Sequence, residues 1–517
     1  MRCKSGSRII ESGWICSKAT DSFAGSRRRW IGTKRSERLP EWLCPLGGPA
    51  LLFENIKDYK NTWCKRVMTA GLWNYKRLAL LLGLDRDSSP KQLVEAYRDG
   101  IRRRLAPEVV STGPVKQNIL KGDDIDLYQI PVPYWHSWDG GRYINTFNST
   151  VTRDPETGLQ NVGMYRGMLN GRNKIGTLLA RVQHWGVHYT KRQYRSEEMP
   201  VACVYGAEPL VEFLALSPIQ HYGYSEFDIL GGIKNQPIEL VKCETSDLLV
   251  PAHAEIVIEG TISPDPATYE MEGPFAEHTG YYGGAASPKP VINVKCVTFR
   301  SDPIFRGSME GNRPGWPTEN SYPECIAMSA EIWKHLQDCG IPGVTDVWLM
   351  PASTYLNVFV QIRRDYEQLD WAFAFRVNAG EGDVVIHPGT FGSVLDPSCR
   401  LEERDIYKYG GGKWTRMLFD ATRNWEFERW KHWNDSVYPP IIVMEKEMED
   451  HLRGAMVGTR LERPGLQTDN ACRSRRGYQK PLFIGRQTPK VRRRIKSIVT
   501  RMISQLLMSL FIRIRDF

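Results

Sequence analysis

The sequence predicts a multidomain chain of mixed α+β and α/β class, with a central β-rich domain between two parts in which helices and strands alternate. Three observations carry this. The 517 residues suffice for two or three hydrophobic cores. Residues 112–310 read as a succession of alternating, β-branched segments broken by turn residues. Helical periodicity falls mainly in the stretches before and after them.

Residues 1–40 have no periodicity and form a basic extension expected to be disordered. An α/β lead-in spans 41–111, where "LWNYKRLALLLGL" and "SPKQLVEAYRDGIRRRL" predict two helices, the second opened by Ser89 and Pro90. In the region 112–310, "YINTFNSTVTRD", "LQNVGMYRGML", "PIELVKCET", "AEIVIEGTI" and "PVINVKCVTF" predict strands, and "DPETG" closes a hairpin between the first two. Many strands in succession with little helix between them predict a barrel or sandwich. From 311 to 460, "ENSYPECIAMSAEIWKHL" reads as a helix followed by the strands "VTDVWLMP" and "LNVFVQIRR", a C-terminal α/β domain. Residues 461–517 form a basic tail whose amphipathic stretch "VRRRIKSIVTRMISQLLMSLFIRI" suits a membrane surface or a partner.

The net charge of +10 is unevenly spread. Residues 1–40 carry +7 and residues 461–517 carry +11, so the body between them carries −8. Basic ends could bind phosphate backbones, the alternative of a nucleic-acid binder, but such ends are more often solvated tails and no nucleic acid is expected as a partner. Eleven cysteines without a C-x-x-C pair predict reduced thiols. No apolar run reaches the ~18 residues of a transmembrane helix. The Arg/Ser-rich start resembles a transit peptide but lacks its amphipathic pattern, so a cytoplasmic location is expected.

One loop stands apart. "MEGPFAEHTGYYGG", residues 271–284, places Glu272 and Glu277 across a Gly-Pro break and follows the second with His278. Two carboxylates near one arginine form a coupled acid/base set, in which one carboxyl stays protonated near neutral pH and can donate. Taken alone, the loop is a turn with two solvated acids. "NVGMYR" offers the arginine, but Asn161 and Arg166 lie five apart and point to opposite faces of a regular strand. If both serve one site, the strand bulges or ends near Gly163. "QHWGVHYTKR" sets His184 and His188 four apart, yet Gly186 weakens a helix and no H-E-x-x-H base is present, which disfavours zinc. "YGGGKW", residues 409–414, lacks the spacing of a phosphate loop.

"EGPFAEHTGYY" closely resembles the signature loop of the UbiD family, decarboxylases dependent on prenylated FMN. "NVGMYR" resembles that family's cofactor-binding strand, "QH" at 183–184 its next contact and "SEFDILGG" from 225 its acidic element, all in the family's order. The likeness runs from roughly 46 to 365 and more weakly to about 445. It implies a central split β-barrel that holds the flavin, flanked by N-terminal and C-terminal α/β domains.

The resemblance further implies that Asn161, His184 and Glu226 ligate a divalent metal, usually Mn2+, with K+ as an additional ion. Asn161, Val162, Gly163, Met164, Tyr165, Arg166, Gln183, His184 and Glu226 match the cofactor contacts, with Lys413 as an extra candidate. Arg166, Glu272 and Glu277 match the catalytic network, Glu277 falling where the family keeps its proton donor. The implied activity is non-oxidative decarboxylation of an unsaturated acid, an aromatic one, phenolic acids included, with an acrylic-type acid or a catalytically inactive homologue as alternatives. A flavin prenyltransferase would supply the cofactor, and a homo-oligomer, dimer or larger, is expected. Near residue 367 the family's next helix and strand are missing, which shortens the C-terminal domain.

Overall fold

The computed structural model describes residues 48–362, apart from 182, 218–222, 284, 314 and 354–357, together with three strands, Phe23–Ser26, Val384–Phe391 and Lys413–Phe419. These fall within one compact unit, residues 1–454. The basic tail, the shortened region near 367 and "YGGGKW" up to residue 412 lie outside the described residues.

Nine strands form the central sheet: β1 (Asn118–Lys121), β2 (Tyr143–Asn145), β3 (Ser149–Arg153), β4 (Gln160–Gly163), β5 (Gly167–Leu169), β6 (Lys174–Thr177), β7 (Met199–Tyr205), β8 (Ile256–Ile262) and β9 (Val291–Phe299). Their order is β2-β5-β6-β9-β8-β7-β3-β4, with β1 added on β9. The path does not return to its start, so the sheet is an open half-barrel. The predicted hairpin is present: β3 pairs antiparallel with β4, placing Thr152 opposite Asn161 and Thr150 opposite Gly163. β8 runs "IVIEGTI" with six of seven residues buried, paired on both edges by β7 and β9, while helices pack on the neighbouring strands β3 and β4.

Those helices are α3 (His184–Tyr194), α4 (Pro209–Ala215) and α5 (Glu226–Lys234), inserted between strands of the same sheet. The reading of little helix in this region is corrected by them. In the lead-in, α1 (Tyr75–Leu81) and α2 (Pro90–Gly100) form as read from the sequence, α2 opening on a capping box between Ser89 and Gln92 with Pro90 in its first turn. Strands Ala50–Phe53 and Arg66–Thr69 pair antiparallel, and Ile304–Arg306 joins the latter in parallel, so the lead-in shares a sheet with the end of the central region.

α6 (Ser321–Asp338) and the antiparallel pair Val344–Leu349 and Val358–Ile362 open the C-terminal part. One large core joins these elements. Leu93, Val94 and Tyr97 of α2, Phe213 of α4, Phe227 of α5 and Ile326 of α6 are all buried in it, with Tyr97 stacked on Phe213 at 4.8 Å.

Candidate active site

Arg166 is the hub. β4 ends at Gly163 and β5 begins at Gly167, so Met164, Tyr165 and Arg166 leave the ladder together. That break resolves the odd spacing of Asn161 and Arg166: the chain turns between them. The Arg166 backbone carbonyl accepts from Thr177 Oγ1 at 2.6 Å, fixing the stem of the side chain.

The guanidinium then meets both carboxylates of the opening loop. Its Nε and Nη2 donate to Glu272 Oε1 and Oε2, each at 3.0 Å, a bidentate pair. Nη1 donates to Glu277 Oε1. Glu272 is buried, at the end of strand Glu270–Glu272, and Tyr143 donates its hydroxyl to Glu272 Oε1 at 2.8 Å. The Gly273–Pro274 peptide is cis, and Gly273 sits at φ 102°, where glycine is favoured. Ala276 and Tyr282 form an isolated antiparallel bridge that folds the Glu277 segment back on itself.

The two acids differ in surroundings. Glu277 is half-buried; burial raises its carboxyl above the usual range, Arg166 pulls it down and Glu272 pushes it up. Arg166 is held more firmly charged: burial opposes its charge, but Glu277 and Glu272 outweigh that. Burial also lowers the pKa of the neighbouring His278, whose Nδ1 lies 3.9 Å from Glu277 Oε2. The arrangement places a carboxyl of raised pKa beside a fixed cation.

The predicted cofactor and metal residues border the same strand. Glu226 is the first residue of α5, capped by Ser225 in a box with Asp228, and its Oε2 accepts from Val162 N–H at 2.7 Å. Asn161 donates through Nδ2 to the Tyr165 hydroxyl at 3.2 Å, and Tyr165 stacks on Trp185 at 4.2 Å with the rings parallel within 1°. Trp185 follows His184, the first residue of α3, so this stack ties the strand to that helix. Gln183 precedes the helix as an exposed N-cap. α3 forms across Gly186, where a side chain would lie 2.0 Å from the Ala180 carbonyl, so the glycine permits a close approach.

His188 lies on the same helix and bonds Thr152 through Nδ1 at 2.9 Å, a satisfied core histidine pushed down to about 4 by burial. Among the described residues no group of three or more His, Cys, Asp or Glu side chains is arranged around a metal ion. The Asn161, His184 and Glu226 set draws on an amide, and its chemistry fits a hard or borderline divalent ion. Burial raises the Glu226 carboxyl to about 7, a cost that a cation at this place would remove. Six described cysteines are free thiols.

Sequence reasoning missed three groups around the loop. Tyr143, Asp139 and Gly140 come from "HSWDGGRYIN", a segment that reads only as a turn before a strand. Asp139 Oδ1 accepts from Ala276 N–H at 3.0 Å, and Gly140 N–H donates to Pro274 O at 2.8 Å. Neither contact leaves a periodic signal.

A half-barrel that brings two glutamates onto one arginine defines a site fit for acid/base chemistry. Comparison with known proteins agrees. The UbiD family model, described as the 3-octaprenyl-4-hydroxybenzoate carboxy-lyase Rift-related domain, matches residues 108–313, and the N-terminal domain model of the same family matches residues 40–97. The chain belongs to the UbiD family of carboxy-lyases.

It is 29% identical over 464 residues to an uncharacterized protein of Aquifex aeolicus, covering 79% of this chain and 89% of that one. It is 33% identical over 306 residues to the pyrrole-2-carboxylic acid decarboxylase of Pseudomonas aeruginosa, covering 58% and 60%. Among solved structures it resembles an evolved dimeric form of the UbiD-class enzyme HmfF from Pelotomaculum thermopropionicum in complex with prFMN, at 27% identity and a TM-score of 0.62, covering 71% of this chain and 81% of that one. The vanillic acid decarboxylase of Sedimentibacter hydroxybenzoicus in its open form matches at 25% identity and a TM-score of 0.63, covering 87% and 99%. No described helix is long and apolar enough to cross a membrane.

Proposed function

We propose that the protein is a non-oxidative decarboxylase of an aromatic or heteroaromatic carboxylic acid that works with prenylated FMN and a divalent metal. The observation that carries this reading is the Arg166 guanidinium gripping Glu272 and Glu277 at once. The pyrrole-2-carboxylate and vanillate activities of the relatives support the substrate class, and the prFMN complex of the HmfF neighbour supports the cofactor.

Bound prenylated FMN supplies the electron sink for the pair left behind when CO2 departs. Asn161, His184 and Glu226 would hold the metal, and Val162 to Arg166 with Gln183 would line the flavin. Arg166 orients both carboxylates and offers positive charge to an anionic substrate. Glu277 in its acid form hands a proton to the carbon that has lost CO2, and Glu272, locked by Arg166 and Tyr143, holds the arginine in place.

The chain purified after coexpression with a flavin prenyltransferase tests the reading. Absorbance and mass spectra should report prenylated FMN, and a panel of aromatic and heteroaromatic acids should yield CO2. Soluble protein that takes up no flavin, or loaded protein inert across the panel, would overturn it.

A further inference from the structure

The turn "HSWDGG", residues 136–141, reaches the loop that carries both glutamates at alternate positions. Asp139 is buried, 8% exposed, and its carboxylate is divided between two backbone donors: Oδ2 takes His136 N–H at 2.9 Å and Oδ1 takes Ala276 N–H at 3.0 Å. Gly140 N–H donates to Pro274 O at 2.8 Å. On the next strand, Tyr143 donates to Glu272 Oε1 at 2.8 Å and lies 3.3 Å from Pro274 O. Residues 272, 274 and 276 are thus all held from one short segment. The approach is so close that a side chain at 140 would sit 1.9 Å from the Gly273 carbonyl.

The same turn is anchored on its far side. His136 Nε2 bonds the Glu310 carbonyl oxygen, and its ring meets Tyr282 edge-on at 6.4 Å. Tyr282 is the residue bridged to Ala276. Ala276 immediately precedes Glu277, so the Asp139 bond fixes the backbone from which the acid projects. Arg166 alone cannot do this, since it binds the ends of flexible side chains and would follow them if the loop moved.

We propose that Asp139 is a positioning residue for the reaction, clamping Ala276 so that Glu277 stands at a fixed distance from Arg166 and the reacting carbon. The inference rests on the reading of Glu277 as proton donor. A donor displaced by about 1 Å loses on the order of 10²-fold in rate.

Asp139→Ala and Asp139→Asn, each purified with cofactor, test this by two kinds of readout. In Asp139→Ala, amide hydrogen exchange across residues 274–283 of the cofactor-free protein should accelerate by about tenfold or more. The loaded enzyme should keep its flavin and its KM within about threefold while kcat falls by ~10- to 100-fold, with a larger solvent deuterium isotope effect as proton delivery becomes limiting. Asp139→Asn retains an oxygen for Ala276 N–H but turns its amide NH2 toward His136 N–H, and should recover a clear part of kcat over alanine. An alanine variant with full kcat, a kcat loss with unchanged exchange across 274–283, or an asparagine variant as slow as alanine would each overturn the clamp. Glu277→Gln run alongside separates the two readings: full turnover there removes the donor role itself, whereas a slow Glu277→Gln beside a fast Asp139→Ala removes only the clamp.

Discussion

Glu277 and Glu272 share one arginine yet are assigned different work, and their surroundings supply the reason. Glu272 receives both Nε and Nη2 of Arg166 and the Tyr143 hydroxyl, so its oxygens are occupied. Glu277 receives one donor, is more open and has its carboxyl raised by burial. Replacing Glu277 by Gln preserves size and a hydrogen-bonding oxygen but removes the transferable proton. Metal and flavin should remain bound while CO2 release falls by ~10²- to 10⁴-fold. The sign of the pH dependence follows from the proposed donor role and the same shift: with the acid form active, turnover should hold at low pH and decline as pH rises through the raised pKa of Glu277. Initial rates across pH, measured for both enzymes, check this, and a Gln variant that keeps both rate and declining limb would contradict it.

Glu226 shows how a helix start delivers a side chain. Ser225 caps α5 by accepting from Phe227 N–H, and Asp228 returns a bond to Ser225 N–H at 2.9 Å, which sets the direction in which Glu226 leaves the backbone. Glu226→Ala should strip metal and flavin together, read by elemental analysis and absorbance. Ser225→Ala should cost about 1 kcal/mol of stability and weaken metal retention without abolishing it; equal metal content in the two variants would argue against Glu226 as a ligand. "SEFD" was matched in the sequence only to the family's acidic element, whereas the alternating strands of the half-barrel and the helices α2 and α6 were legible there. α4 was not, because all seven of its residues are buried and no polar face marks a helical period. α3 was obscured by Gly186, whose value lies in a contact with Ala180 that is invisible along the chain. The loop with Glu272 and Glu277 stood out through its resemblance to the family's signature, while its clamp at Asp139 depends on pairing across 137 residues.

The parts of the chain converge on Arg306, far from Arg166 in sequence and more deeply buried. At 2% exposure it carries Glu319 on Nη1 and Nη2, faces Glu212 of α4 through Nε at 3.4 Å and lies over Phe147 at 4.0 Å. Glu319, just before α6, also accepts from the N–H groups of Ala70 and Leu72 at 2.8 and 2.7 Å. Lead-in, half-barrel and C-terminal helix therefore meet on one buried cation. Removing it strands the Glu319 carboxylate and leaves the Glu212 carboxyl without its partner, and loss of one partner from a buried ion pair costs ~3–5 kcal/mol. Arg306→Met should lower the urea midpoint accordingly, even though methionine fills much of the same space. Glu212 reports the balance from the other side. Burial raises its carboxyl to about 8, partly offset by Arg306, so its neutral form is the one the fold favours. A raised acid contributes stability that is complete below its ordinary value near 4.5 and is lost as pH rises through about 8. Glu212→Gln cannot ionise and should flatten the fall in Tm across that window while leaving Arg306 an oxygen to bond. A wild-type slope in the Gln variant, or a wild-type urea midpoint in Arg306→Met, would mean that the junction is held by its apolar contacts and that the charges only accompany them.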